Sequence, residues 1–323
     1  MKLSKAAQGF LMHKSAENRA ETTLRDYRHH LNICAAYLDD PEVGEVTTGA
    51  LRAFFVYLRK YYRPRRITGN QHSLSPKTLH NYWITLRSFY TWATVELGIE
   101  DALAPIHAPE FAVKVVDPLT QAECQAMMTA CLWTMTAETT GAKARYRMRR
   151  PTGLRDQAIL RLLLDTGVRA GECTHLNVGD VDVKTGQVTI HPRNSGRKSR
   201  SRHVQLGRSA RKSVWKYLAS REDGDDPKAP LFTTGKGFRL QRDSLRHLVR
   251  RLGKRAGVQG RVYPHRFRHT FAITYLRFDG DIYTLQRMLG HTSLEMVRRY
   301  LAIVRDDVVS AHKRASPVDN WRI

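Results

Sequence analysis

The sequence predicts a mainly α-helical chain with one small antiparallel β-sheet, divided into two domains. Three observations carry this. Apolar residues recur at helical spacing through roughly the first hundred residues. A stretch without helical period follows, punctuated by Pro105, Pro109 and Pro118. Helical patterns then resume and are broken once, between residues 181 and 206, by short runs of strand character. At 323 residues the chain is long enough for two cores, and its 41% hydrophobic content can fill both. The expected division is a helical bundle over 1–107, a linker over 108–119, a mixed α+β domain over 120–303 and a tail over 304–323.

In the bundle, Leu24, Tyr27, Leu31, Cys34 and Leu38 fall on one helix face. A second helix is expected from Gly49 to Tyr61, with Thr48 as its cap. Ser75 and Pro76 suit the start of a third, which carries Leu79, Tyr82, Leu86, Phe89 and Ala93 inward and stops at Gly98. The pattern T-L-x-x-Y-x-x-x-L occurs at Thr23–Leu31 and again at Thr78–Leu86, suggesting two similar packed helices. The polar faces are basic. Arg25, Arg28, His29 and His30 share one helix, and Lys60, Arg63, Arg65 and Arg66 follow with Tyr61 and Tyr62 interleaved. Such runs are either solvated faces or grips for backbone phosphates.

Thr120 and Glu123 have capping-box spacing and open the second domain. The run Ala137–Pro151, with Arg145, Arg147, Arg149 and Arg150, reads as a mobile basic loop. Leu154–Thr166 reads as a buried helix with Leu154, Ala158, Ile159, Leu162 and Leu163 inward, ended by Gly167. Strands are expected at Val181–Val183, Gln187–His191 and His203–Leu206, separated by Lys184–Gly186 and by Pro192–Arg202. Helices follow at Arg208–Arg221 and Ser244–Ala256. In the latter, Leu245, Leu248, Val249 and Leu252 face the core while Arg246, Arg250 and Arg251 lie off that stripe. Asp281–Leu289 is a helix stopped by Gly290, and Thr292 with Glu295 caps another that carries Tyr300.

Lys plus Arg number 54 against 30 acidic residues, a net charge of +24. That excess favours a polyanionic partner, because each neutralised phosphate releases condensed counterions. The four cysteines form no C-x-x-C pair and no histidine cluster stands at zinc spacing, so no metal site is expected. The first residues carry no long apolar core or cleavage site, and no apolar run reaches the ~20 residues of a membrane span. A soluble, cytoplasmic, nucleoid-associated protein without cofactor is the expectation.

One constellation carries chemistry. His265 and Arg268 are three residues apart and share a helix face, with His269 one step further round. His291 follows the Gly290 stop, and Arg169 follows the Gly167 stop with Glu172 three residues on. Attack on a phosphodiester needs a nucleophile, cations for the developing oxygen charge and a proton for the leaving oxygen. Tyr300 is the nucleophile candidate, and Arg169 and Arg268 offer forked donors for phosphate oxygens. His265 suits proton uptake from the phenol, His291 suits donation to phosphate, and Glu172 orients an arginine. Taken singly, Tyr300 reads as an amphipathic helix residue, Arg169 as a helix cap and His265 as a hydrogen-bonded imidazole. Their order argues for the reactive reading.

That order, TG-x-R-x-x-E at Thr166–Glu172, H-x-x-R-H-T at His265–Thr270, LGH at Leu289–His291 and then Tyr300 nine residues later, resembles the signature of the tyrosine recombinases, or phage integrase family. The chain is similar to its Xer-like branch, without an extra N-terminal arm-binding domain. The resemblance implies a SAM-like core-binding bundle over 1–107 and a catalytic domain with a small sheet, acting on double-stranded DNA. It implies a covalent 3′-phosphotyrosine intermediate without metal or ATP, and four protomers exchanging strands through a Holliday junction. It also implies a hairpin lysine as general acid, where the family reads G-K-G-x-K-x-R and its first lysine is catalytic. Here the loop is longer and Lys198 is its only lysine, so Lys198 is backed as the acid, with Arg193 and Arg197 as alternative alignments. Arg197 and Arg200 join Arg25, Arg28, Lys60, Arg63, Arg65 and Arg66 as candidate DNA contacts. The tail, with Trp321, is a candidate for docking on a neighbouring protomer or on its own domain. Accessory DNA-bending or directionality proteins are possible partners. The divergent loop and tail favour a mobile-element integrase over a chromosome-dimer resolvase. The rival readings are a type IB topoisomerase and a DNA-binding accessory with an idle site.

Overall fold

The computed structural model describes residues 1–65, 69–112, 116–134, 147–192, 201–291, 294, 297, 300 and 316–321. The chain divides into two compact units, Met1–Lys114 and Val115–Ile323.

The first unit is helical: α1 (Leu3–Ala16), α2 (Glu21–Tyr37), α3 (Thr48–Lys60) and α4 (Pro76–Leu97). Its core joins Phe10, Leu31, Leu51, Phe54, Leu58, Tyr82 and Phe89, all buried; of these, Leu31, Tyr82 and Phe89 lie on the faces the helical spacing marks as inward. Ser75 caps α4 by accepting the Thr78 N–H, and Gly98 ends it in the left-handed conformation at φ 64°. The cap of α3 is Thr47 rather than Thr48: its hydroxyl accepts the Ala50 N–H, while Thr48 donates to the Ala102 carbonyl. His30 does not join the basic face. Its Nδ1 lies 2.7 Å from the Thr85 hydroxyl and its ring packs 4.0 Å from Tyr82. Burial, with His29 beside it, pushes its pKa down to about 4, so it is neutral.

The second unit contains α5 (Gln121–Leu132), α6 (Gly153–Thr166), α7 (Ala170–His175), β1 (Gln187–Ile190), β2 (Arg202–Gln205), α8 (Arg208–Leu218), α9 (Arg242–Arg255), α10 (Pro264–Arg277) and α11 (Ile282–Leu289). A short α12 covers Pro317–Trp321. Among the described residues the sheet is a two-stranded antiparallel pair, with Gln187 opposite Gln205 and Ile190 opposite Arg202. The capping box at Thr120 and Glu123 is present, and the inward stripe of α9 is buried as expected.

Three readings of this unit change. Leu154 is 38% exposed, because the first turn of α6 packs through Gly153, where an added Cβ would lie 3.2 Å from the Cys131 carbonyl. Val181–Val183 makes only an isolated bridge from Val181 to Val188. The Asp182 carboxylate accepts the Lys184 and Thr185 N–H groups and turns the chain there. Arg150 is structural: it bonds the Cys131 carbonyl and pairs with the buried Asp156 at 2.8 Å. Residues 137–146 of that basic run, and Thr292 and Glu295 of the expected capping box, lie outside the described residues.

Candidate active site

Two helix ends and the start of one strand converge on a single pocket. Helix α6 stops at Gly167 (φ 61°) and α11 stops at Gly290 (φ 63°). Glycine suits both positions because left-handed backbone costs it little. At Gly167 a Cβ would also stand 2.4 Å from the Phe271 ring. Each stop turns unpaired carbonyls, at the negative end of a helix dipole, towards the pocket.

Arg268 on α10 answers both ends. Its Nη1 donates to the Gly167 carbonyl at 2.8 Å, and its Nη2 donates to the Leu289 carbonyl at 2.6 Å and to His291 Nε2 at 2.7 Å. A guanidinium only donates, so His291 Nε2 accepts and the imidazole proton sits on Nδ1. Arg268 is 1% exposed. Burial, reinforced by Arg169, pushes its pKa down to about 9, while Glu172 and Tyr300 act the other way. The group stays charged at neutral pH. Two donors in this cluster, Arg268 Nε and His291 Nδ1, are buried with no hydrogen-bond partner among the described residues. An unpaired buried donor costs about 1–3 kcal/mol, so both suit an acceptor brought from outside.

Glu172 sits below the second arginine. Its Oε1 accepts Arg169 Nη1 at 3.0 Å and its Oε2 accepts the Arg169 backbone N–H at 2.8 Å. The Arg169 side chain remains 42% exposed, and its Nη2 lies 3.3 Å from the Gly290 carbonyl. Arg202, at the start of β2, adds a bidentate pair to the same carboxylate at 3.0 and 2.8 Å and donates from Nε to the Met288 carbonyl. Burial opposes charge on Glu172, but Arg202 and then Arg169 outweigh it and hold its pKa at about 2.

Two neutral imidazoles lie on α10. His265 keeps an exposed edge, yet the packing round its ring, with His269, Arg268 and Arg169 nearby, pushes its pKa down to about 4. Burial and Arg268 lower that of His269. Burial, then Arg268 and Arg169, take His291 to about 3. The His265 and His269 rings are 4.5 Å apart, and His269 is 5.4 Å from the Tyr300 ring. Tyr300 is 4% exposed, in a small cluster with Phe271, Ile273, Leu285 and Val297.

The structure thus gathers Arg169, Glu172, His265, Arg268, His291 and Tyr300, drawn from sequence positions 131 residues apart at the extremes. It adds Arg202, which sequence reading passed over, and brings the His269 ring against Tyr300. A signal for Arg202 was present, since the family hairpin pattern G-K-G-x-K-x-R ends in arginine. Lys198, Arg193, Arg197, Arg200 and Arg66 lie outside the described residues. Arg25 and Arg28 are exposed on α2, Lys60 at the end of α3, and Arg63 and Arg65 beyond it. Two guanidinium groups on one carboxylate, with Arg268 nearby as a third, make the pocket cationic, a fit for phosphate and not for a metal ion.

Known proteins resemble this chain over most of its length. Residues 119–305 match the Phage integrase family, and residues 8–97 match its N-terminal SAM-like domain. Tyrosine recombinase XerC of Oceanobacillus iheyensis is 28% identical over 310 residues, covering 94% of this chain and 93% of that protein. Two solved structures share the fold. A Tn1549 transposon integrase variant in complex with a circular intermediate DNA has a TM-score of 0.72 at 18% identity, covering 98% of this chain and 99% of that one. A lambda integrase tetramer bound to a Holliday junction has a TM-score of 0.65 at 17% identity, covering 91% and 78%. No described helix is long and apolar enough to cross a membrane. The chain belongs to the phage integrase family and is a site-specific tyrosine recombinase.

Proposed function

We propose that Tyr300 attacks a DNA phosphate held by Arg169, Arg268 and His291, so that one strand is cut and later rejoined through a 3′-phosphotyrosine. The observation that carries this reading is the pair of unpartnered buried donors, Arg268 Nε and His291 Nδ1, in the cationic pocket beside Tyr300. A phosphate oxygen would satisfy both. In the cutting step a bond forms between Tyr300 Oη and phosphorus while the bond from phosphorus to the 5′ oxygen breaks. The phenol proton passes to a neutral imidazole: His265 is the acceptor, and His269 is the ring packed against Tyr300. The 5′ oxygen takes its proton from Lys198. Rejoining reverses each transfer, and the phosphotyrosine conserves the bond energy, so no nucleotide is consumed.

The exposed arginines and lysine of the first unit, Arg25, Arg28, Lys60, Arg63 and Arg65, grip backbone phosphates in this reading and set affinity and register. The lambda integrase tetramer on a Holliday junction supports four protomers acting on two duplexes. Near full-length likeness to a XerC recombinase runs against the mobile-element preference and favours chromosome dimer resolution. Deleting the gene separates them: dimer resolution expects chromosome dimers to accumulate, and element mobility expects loss of excised circles.

Covalent capture tests the reaction itself. Wild-type protein is offered a pool of nicked random-sequence duplexes in EDTA, and a denaturant-resistant adduct absent with Y300F is expected. Binding without adduct across that pool favours the idle DNA-binding reading, and supercoil relaxation without strand exchange favours the topoisomerase.

A further inference from the structure

We propose that Arg202 is a positioning residue whose positive charge offsets that of Glu172, leaving the charge of Arg169 available to the phosphate. The inference rests on the proposed role of the pocket in phosphate attack. Glu172 is needed to fix Arg169, since it holds both the side chain and the backbone N–H of that residue. The cost is electrostatic. A carboxylate in contact with a single arginine makes a neutral pair, and a neutral pair attracts a phosphate weakly. Arg202 removes this conflict. It covers both carboxylate oxygens from the other side, at 3.0 and 2.8 Å, so two guanidinium groups share one carboxylate and a net positive charge remains.

The placement of Arg202 suits this task and no direct contact with the duplex. Its side chain is only 10% exposed, against 42% for Arg169. Its Nε is occupied by the Met288 carbonyl, at the end of α11 that also carries Gly290 and His291. Glycine at 290 leaves room for it, because a Cβ there would come within 3.1 Å of Arg202 Nη1. The buried member of the pair therefore balances the carboxylate, and the open member is left to face the substrate.

A charge-balancing role and a purely structural clip predict different double mutants. The assay is the rate of covalent adduct formation on a nicked duplex that wild type captures from a random-sequence pool, with Y300F as the zero. R202Q is expected to slow adduct formation about 100-fold, the scale seen when one preorganised electrostatic donor is lost. Its Kd for the duplex should stay within about threefold of wild type. E172Q/R202Q, which removes both charges, is expected to recover to within about tenfold of E172Q alone. A double mutant no faster than R202Q, or R202Q as fast as wild type, would overturn the proposal. If R202Q melts below the assay temperature, R202K decides: it keeps the charge and loses the fork. Retention within about tenfold supports charge balance, and a loss as large as that of the E172Q/R202Q protein overturns it. Absence of any wild-type adduct is a separate outcome, because it overturns the phosphate-attack reading and this inference with it.

Discussion

Arg268 donates to the carbonyl of Gly167 at 2.8 Å across 101 residues of sequence, and so ties the end of α6 to the middle of the pocket. The same guanidinium reaches the Leu289 carbonyl and His291, so one side chain sets the spacing of two helix ends and an imidazole. Lysine cannot hold three acceptors in a plane. R268K is expected to slow adduct formation by about 100-fold or more while binding DNA within about threefold of wild type. Wild-type cleavage rates with R268K would contradict the geometry.

Gly167 should tolerate no side chain. Its φ of 61° and the 2.4 Å approach of a Cβ to Phe271 combine backbone strain with a clash. G167A is expected to lose about 2–4 kcal/mol of stability, read as a lower urea midpoint at unchanged slope. A midpoint equal to that of wild type would show that Phe271 yields freely.

Acid should destabilise the protein in two stages. His30, His265 and His291 are held near 4, 4 and 3, below the ordinary 6.5. Between pH 6.5 and 4 the unfolded chain therefore binds protons that the folded chain refuses, and stability falls as pH drops. Glu172, held at about 2 against 4.5, adds a second loss between pH 4.5 and 2. Melting temperature against pH should slope downward from 6.5, and replacing these three histidines together with His269, also held below 6.5, by asparagine should flatten the upper stage alone. A wild-type curve level from pH 6.5 to 4.5 would rule this out.

Lys198 and Arg197 can be told apart by the leaving group. K198A should cut a normal duplex about 100- to 10,000-fold slower, the range for loss of a general acid. A 5′-bridging sulfur leaves as thiolate without needing a proton, so K198A should cut that substrate nearly as fast as wild type. The same pattern from R197A, with K198A normal on both substrates, would move the acid to the neighbouring position.

EDTA should leave the adduct yield unchanged, since Arg169 and Arg202 on Glu172, with Arg268 nearby, repel divalent cations. Strict dependence on added magnesium would contradict this.

Much of this was legible in the sequence because it is encoded locally. Helical spacing marks Leu245, Leu248, Val249 and Leu252, and a stop at Gly290 fixes where His291 stands. What escaped depends on contacts between distant segments. Arg202 looks like one more cation in a basic loop until Glu172 arrives from 30 residues earlier. His30 looks like part of a basic face until Thr85 and Tyr82 pack over it. Arg150 likewise turns inward only because Asp156 is buried beside it.

Tyr300 does not belong to the main core of its unit. It sits in a separate, smaller apolar cluster built on α10 and α11, apart from the large one that unites α5, α6, α8 and α9. The reactive group therefore packs among a few apolar side chains of its own, while α10 also reaches the large core through Phe267. For a protein that severs DNA, the nucleophile is thus seated apart from most of the side chains that hold its domain together.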